Sequence, residues 1–352
     1  MNTRQALYLE ITGIIAAAIM AILCGFVVIL FSSHQPMEAI SSLLGGPLSG
    51  AFNIGTILNK AVPLIFTGLA LSVVFQSGVF SMGAEGQLYV GAFVGSLVAV
   101  YVHGLSAWIM VPMVLISAMI GGALYGAIPG WLKTRWNANE IVTTLMMNFV
   151  AILTTSYLVN NVFKDPASGG YARMHYVGDG ARLGKIFAGF PAHYGVIVAL
   201  LTAVVIYLFM YKTRSGYELR LVGKNSRFAD YGGISTKRVV IMSVMISGAL
   251  AGLAGIVEIL GVHGTYKDNF SSGLGFDGII IALLARNHPI GVVAVSLFYA
   301  YLQVGATQMQ VGSDMPRELA IVIQVMLVLF VSSQAIFTYL KQKFALRQKA
   351  VK

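Results

Sequence analysis

The stretch Tyr211–Arg238, YKTRSGYELRLVGKNSRFADYGGISTKR, decides how the rest of the chain is read. It carries seven basic residues (Lys212, Arg214, Arg220, Lys224, Arg227, Lys237 and Arg238) against two acidic ones, Glu218 and Asp230. Apolar runs flank it, TAVVIYLFM before and VVIMSVMISGALAGLAGIV after. A basic island between two membrane spans is retained on the cytoplasmic side, where loops carry the excess of Lys and Arg. The island therefore sets an expected orientation for everything else. It is also rich in capping and turn residues, so it reads as a folded surface rather than a bare tether.

Working outward, the 352 residues are 57% hydrophobic and 10% charged, with a mean hydropathy of +0.80. Soluble domains are about 25% charged. Apolar runs long enough to cross roughly 30 Å of hydrocarbon recur along the chain. The fold class expected is all-α, a polytopic transmembrane helix bundle of about ten spans. They are placed at 11–31, 61–80, 88–103, 108–130, 141–160, 194–211, 239–260, 277–285, 289–305 and 318–339. The piece at 277–285 is too short to cross alone and reads as a half-helix, so broken helices are expected near 78–88 and 273–289. The first run lacks a small-residue cleavage site before Ser32 and reads as an uncleaved span.

Charge tests the orientation. With N-terminus and C-terminus both inside, ten crossings leave 16 of the 23 basic residues in the cytoplasm, including the whole island and the five of the 340–352 tail. Inverting the chain would reverse that excess, so N-in/C-in is expected. The net charge of +10 is thereby explained by topology and membrane lipids, not by nucleic acid. The sequence reads as one membrane domain over 1–352, with its bundle at 11–339 and the loop 212–238 in the cytoplasm.

Several chemistries are excluded. The nearest approaches to a phosphate-binding loop, Gly184-Lys185-Ile186 and Gly223-Lys224-Asn225, have an acid (Asp179, Glu218) where the first glycine belongs and no Ser or Thr after the lysine. The chain is not expected to hydrolyse ATP itself. Six scattered histidines form no HExxH and no helical pair, and Cys24 is the sole cysteine, so no catalytic or metal site is expected.

Ionisable and amide groups at membrane depth carry more information, because a charged side chain there costs roughly 2.5–3.5 kcal/mol on insertion scales and normally faces protein or a wet cavity. Asn148, Glu258, Asp277 and Gln303 are the candidates for a polar translocation path. Glu85 and Glu140 read instead as first-turn acids, favoured by the helix dipole, with Asn139 as the N-cap before Glu140. Two Gly-rich turns echo each other, Gly78–Gln87 and Gly273–Leu283, each with an acid opening an apolar run. Such broken helices in corresponding positions are typical of transporter cores.

Within the island, Asn225-Ser226 can cap a short helix SRFADY that Gly232-Gly233 ends, and Ser235 can cap the span after it. That helix would carry Arg227, Phe228 and Tyr231. It could rest on anionic headgroups or seat in a groove on a cytoplasmic partner, and the residues alone leave both open.

Four segments, VFSMGAEGQLYVGA (79–92), NANEIVTTLMMNFVA (137–151), YELRLVGKNSRFADYGGIS (217–235) and GFDGIIIALLARNHPIG (275–291), resemble in order and spacing the importer permeases that serve branched-chain amino acids and simple sugars. The nearest subgroup carries nucleosides. The resemblance covers roughly 55–335, with Ser81-Met82 departing from the Asn-Ile common in that subgroup. It implies a permease subunit of an ATP-binding-cassette importer in a bacterial cytoplasmic membrane. Its implied partners are a second related permease, a separate cytoplasmic ATPase holding the ATP and magnesium, and an extracytoplasmic binding protein or lipoprotein. It further implies that the loop matching Gly216–Ser235 docks on the ATPase, which assigns coupling roles to Arg220, Asn225, Arg227, Phe228, Tyr231 and Gly232. Ribose-like sugars and riboflavin stand as alternative cargo, and a stand-alone secondary transporter as the rival class.

Overall fold

The computed structural model describes residues 29–30, 34–187 and 189–314, together with 319, 321–322 and 325–326. The described elements are helices joined by turns, 3-10 segments and two isolated β-bridges. We number the α-helices α1 Pro36–Gly45, α2 Ala51–Gln76, α3 Ala84–Tyr101, α4 Ala107–Trp136, α5 Glu140–Tyr157, α6 Gly195–Lys212, α7 Arg214–Lys224, α8 Ser226–Tyr231, α9 Thr236–Glu258, α10 Leu274–Leu284 and α11 Pro289–Gly312. A π turn extends α5 to Val162 and another extends α9 to His263.

Six described helices, α2, α4, α5, α6, α9 and α11, are long and apolar enough to cross a membrane. The chain is thus an all-α, multi-pass membrane bundle. Two of the ten expected spans, 11–31 and 318–339, lie largely or wholly outside the described residues, as does the 340–352 tail. The expected span at 61–80 begins ten residues earlier, at Ala51. Its apolar face continues through FNIGTIL, where isolated polar residues break the hydropathy run without breaking the helix. The expected half-helix is present as α10, eleven residues long.

The described residues gather into two compact units, one from the residues up to Ile57 and from Tyr299 onward, the other Leu58–Phe298. In the first, α1 packs on the later part of α11. A methyl group at Gly305 would stand 2.4 Å from the Leu43 carbonyl oxygen. Gln308 Nε2 donates to Asn53 Oδ1 (3.0 Å), and Asn53 Nδ2 to the Gly46 carbonyl (2.8 Å).

The second unit is centred on α3, α4 and α9. Glycines set their spacing: a methyl group at Gly122 would lie 2.1 Å from Gly248 O, and one at Gly91 2.3 Å from Gly252 Cα. Membrane helices gain little from hiding apolar surface from lipid, so they associate through close backbone approach at small residues. Beside α9, the loop residue His193 is fully buried, wedged against Gly195 and Gly261. Its Nδ1 accepts from Gly195 N–H (3.0 Å), and burial pushes its pKa down to about 4, so the imidazole is neutral at physiological pH.

Candidate functional site

The two Gly-rich turns that echo in sequence meet in space. Glu85, in the first turn of α3, is buried, and its carboxylate accepts from Gly275 N–H (2.6 Å) and Gly273 N–H (3.3 Å) at the start of α10. A helix N-terminus leaves backbone donors without partners and carries partial positive charge, so a carboxylate is the natural occupant. Glu85 opens its own helix and also holds the first turn of another.

Asn148, in the middle of α5, is buried and spans the preceding turn. Its Oδ1 accepts from Gly86 N–H (2.9 Å) and its Nδ2 donates to Met82 O (2.8 Å). Thr144 Oγ1, one turn earlier on α5, accepts from Met82 N–H (3.0 Å). Asp277 stands half-buried in the first turn of α10. Asn148 and the start of α10 are therefore joined through residues 82–86. Glu258 ends α9, mostly buried, with its Oε1 3.7 Å from His263 Nε2 across the π turn, and Lys60 acts on it electrostatically. Gln303 belongs to the first unit, half-buried on α11.

Above α10, the loop 264–273 is bound to α3 by aromatic residues. Tyr89 Oη donates to Asn269 Oδ1 (3.2 Å), and the Tyr89, Phe93, Tyr266 and Phe270 rings pack edge-on or tilted at 5.0–5.7 Å. Left-handed backbone at Asn269 (φ 52°), Ser272 (φ 49°) and Gly273 (φ 97°) turns the chain into α10.

The basic island folds into α7 and α8. Asn225 Oδ1 accepts from Phe228 N–H (3.0 Å), capping α8. The helix ends with Ile234 N–H on Ala229 O and Gly233 N–H on Asp230 O, and Gly233 takes φ 80° as that stop requires. Gly232 is the C-cap. Ala229 is buried, whereas Arg227 is exposed and Phe228 and Tyr231 are 61% and 92% exposed. One expectation is corrected here. Ser235 occupies the cap position of α9 but its side chain makes no cap bond. Asp230 takes that part instead, accepting from the Thr236 hydroxyl and, at 3.4 Å, from Thr236 N–H.

Arg220 does not share the exposed face of α8. Its guanidinium lies over the Tyr211 ring at 4.8 Å. Further along α7, a methyl group at Gly223 would stand 2.0 Å from Gln76 O, which brings α7 onto the end of α2 and onto Gly78. This junction joins residues about 150 positions apart and is not among the contacts expected from the sequence. Gly216 and Gly223, seven apart, mark the face of α7 that approaches its neighbours closely. Asn139 caps α5 through Ile141 N–H and Val142 N–H (3.0 and 3.3 Å), and Glu140 pairs with Lys133 at 2.7 Å. Among the described residues no three His, Cys, Asp or Glu side chains gather as a metal would require.

Residues 53–332 match the family model described as the branched-chain amino acid transport system/permease component. The chain is 35% identical to the guanosine ABC transporter permease protein NupP of Bacillus subtilis, over 90% of this chain and 91% of that one. It is 35% identical to the glucose ABC transporter permease protein TsgB13 of Haloferax volcanii, over 90% and 86%. A second guanosine permease of Bacillus subtilis, NupQ, is 30% identical over 69% and 78%.

Proposed function

Because this chain belongs to the branched-chain amino acid transport system/permease component family, we propose that it is the membrane permease subunit of an ATP-binding-cassette importer that passes nucleosides to the cytoplasm. The observation that carries the coupling part of this reading is α8. A six-residue helix, capped at both ends by its own loop, holds one aromatic ring 61% exposed and another 92% exposed beside Arg227. Rigid exposed aromatics beside an arginine are what protein interfaces select for anchors. The occupant proposed is a cleft on a cytoplasmic ATPase, which would hold the ATP and magnesium that this chain is not expected to bind.

In this reading the membrane is the bacterial cytoplasmic membrane, both termini face the cytoplasm, and about ten segments cross. A second related permease completes the pore, supported by the two distinct permeases named for guanosine in one organism. A binding protein or lipoprotein delivers the solute, which passes groups such as Asn148, Glu258, Asp277 and Gln303 without being held tightly. The relative named for glucose supports a simple sugar as a second reading of the cargo.

Reconstitution of this chain with its ATPase, second permease and binding protein tests the proposal. ATP-dependent guanosine uptake is expected, with glucose failing to compete. Arg227→Glu and Phe228→Ala should each lower uptake roughly tenfold or more, the loss of an interface anchor, while the purified chain keeps its melting temperature. Solute movement by this chain alone in ATP-free liposomes would sink the importer reading in favour of a stand-alone secondary transporter.

A further inference from the structure

At one end of the second unit, four side chains from three separate elements stack. The Arg220 guanidinium of α7 lies 4.8 Å from the Tyr211 ring centre at the end of α6. On Tyr211 rests the His288 ring, centroids 5.4 Å apart and tilted by 41°. Tyr207, one turn back on α6, touches both, at 5.2 Å from Tyr211 and 6.0 Å from His288. Arg220 Nε is buried and has no hydrogen-bond partner, so its planar cation spends its contact on the ring face. His288 closes the turn between α10 and α11.

That turn is an unusual piece of backbone. Arg286 and Asn287 both lie in the left-handed region, φ 52° and 57°, where glycine normally stands. It is closed by Asn287 N–H on Ala282 O (2.8 Å) and Arg286 N–H on Leu283 O (3.0 Å). A bulky side chain persists in such a conformation only where its surroundings hold it there. The surroundings here are the stack on one side and, on the other, Gln76 Nε2 donating to Asn287 O (3.4 Å), with Gln76 O itself against Gly223 of α7. Both neighbours of the turn thus lead back to α7. The far end of the same half-helix is the one whose N–H groups Glu85 holds.

We propose that the Arg220–Tyr211–His288 stack is the linkage through which the docking loop moves the turn after α10, so that Tyr211 and His288 are positioning residues for transport. This rests on the importer reading above. When a partner displaces α8, α7 moves with it, since the two helices share Asn225 as end and cap. The stacked rings carry that displacement to His288 without a covalent link. The strained turn, held by its surroundings rather than by its own residues, is the element on which that displacement would act. Neither Tyr211 nor His288 lies on the exposed face of α8.

The test uses the full reconstituted importer and reads guanosine uptake and ATP hydrolysis in the same vesicles. Tyr211→Leu and His288→Leu are expected to lower solute moved per ATP by roughly tenfold, within the range that intermediate positions reach, with hydrolysis held within about twofold. Tyr211→Phe keeps a ring and is expected to transport normally. The double variant Tyr211→Leu/His288→Leu should be no worse than either single, because both cut one linkage. Unchanged coupling in either leucine variant, a Tyr211→Phe variant as poor as Tyr211→Leu, or losses that multiply would overturn the linkage. Should Tyr211→Leu fail to assemble, His288→Leu decides alone. Absence of ATP-driven uptake in the unaltered importer would strike the importer reading itself, whereas a coupled parent with coupled variants strikes only the linkage.

Discussion

A carboxylate buried among apolar helices survives only if its oxygens are used, and Glu85 uses both. Gly275 N–H and Gly273 N–H lie 2.6 and 3.3 Å from them. The acid lets α10 begin in the protein interior, where its first backbone donors would otherwise face no acceptor. Glu85→Ala strands those donors and is expected to destabilise the protein by about 1–3 kcal/mol, the cost of leaving buried polar groups unpaired. Glu85→Gln keeps an acceptor for one donor while giving up charge, and should fall between Ala and the parent. Thermal unfolding of the purified protein in detergent, followed by the apparent Tm, ranks the three. Equal Tm values for Ala and Gln would remove the capping explanation. The sequence marked Glu85 as a first-turn acid of its own helix, which is correct locally. Its partner stands 190 positions away in the chain, and no local rule reaches that far. Asn148 is similar: as an amide at membrane depth it stood out, but that both its ends clamp the 82–86 turn is visible only in three dimensions.

Elements were legible in proportion to how local their causes are. Helix α8 could be placed to the residue, because Asn225 and the Gly232-Gly233 pair act within four positions. The end of the half-helix α10 was equally plain, since apolar residues stop at Arg286-Asn287. How elements pack was less so, because the small-residue seams have spacing but no address. Ala118, Gly122, Gly126 and Gly130 recur every fourth residue on α4, as do Gly248 and Gly252 on α9, and nothing in either run names the other. The contacts grade the seam. A methyl group at Gly122 would sit 2.1 Å from the Gly248 carbonyl oxygen, whereas at Gly130 its nearest neighbour would be 3.4 Å away. Gly122→Ala must therefore push two backbones apart and is expected to lower the yield of folded protein severely, while Gly130→Ala meets ordinary van der Waals contact and should be tolerated. Size-exclusion profiles of the two variants in the same detergent provide the check, and comparable monodisperse yields would refute the seam.

For the whole molecule the proposed orientation, not the fold, is the quantity most worth measuring, since it follows from charge alone. On the proposed topology, the excess of basic residues at one side of ten crossings would put α7 and α8 in the cytoplasm and the long 161–193 segment outside. The described contacts leave both surfaces open to a reagent: Tyr231 on α8 is 92% exposed and Tyr171 in the long segment 79% exposed. Since Cys24 is the sole cysteine, Cys24→Ser gives a background on which single cysteines can be introduced. Tyr171→Cys is expected to react with a membrane-impermeant maleimide in intact cells, and Tyr231→Cys only after the membrane is opened. Labelling of Tyr231→Cys in intact cells would invert the molecule, and with it the docking of α8 on a cytoplasmic ATPase. Protection of both positions in the assembled importer but not in the chain alone would map the two opposite faces on which partners sit. The same pair of probes therefore tests both the orientation proposed from the basic island and the partnership proposed for its short helix.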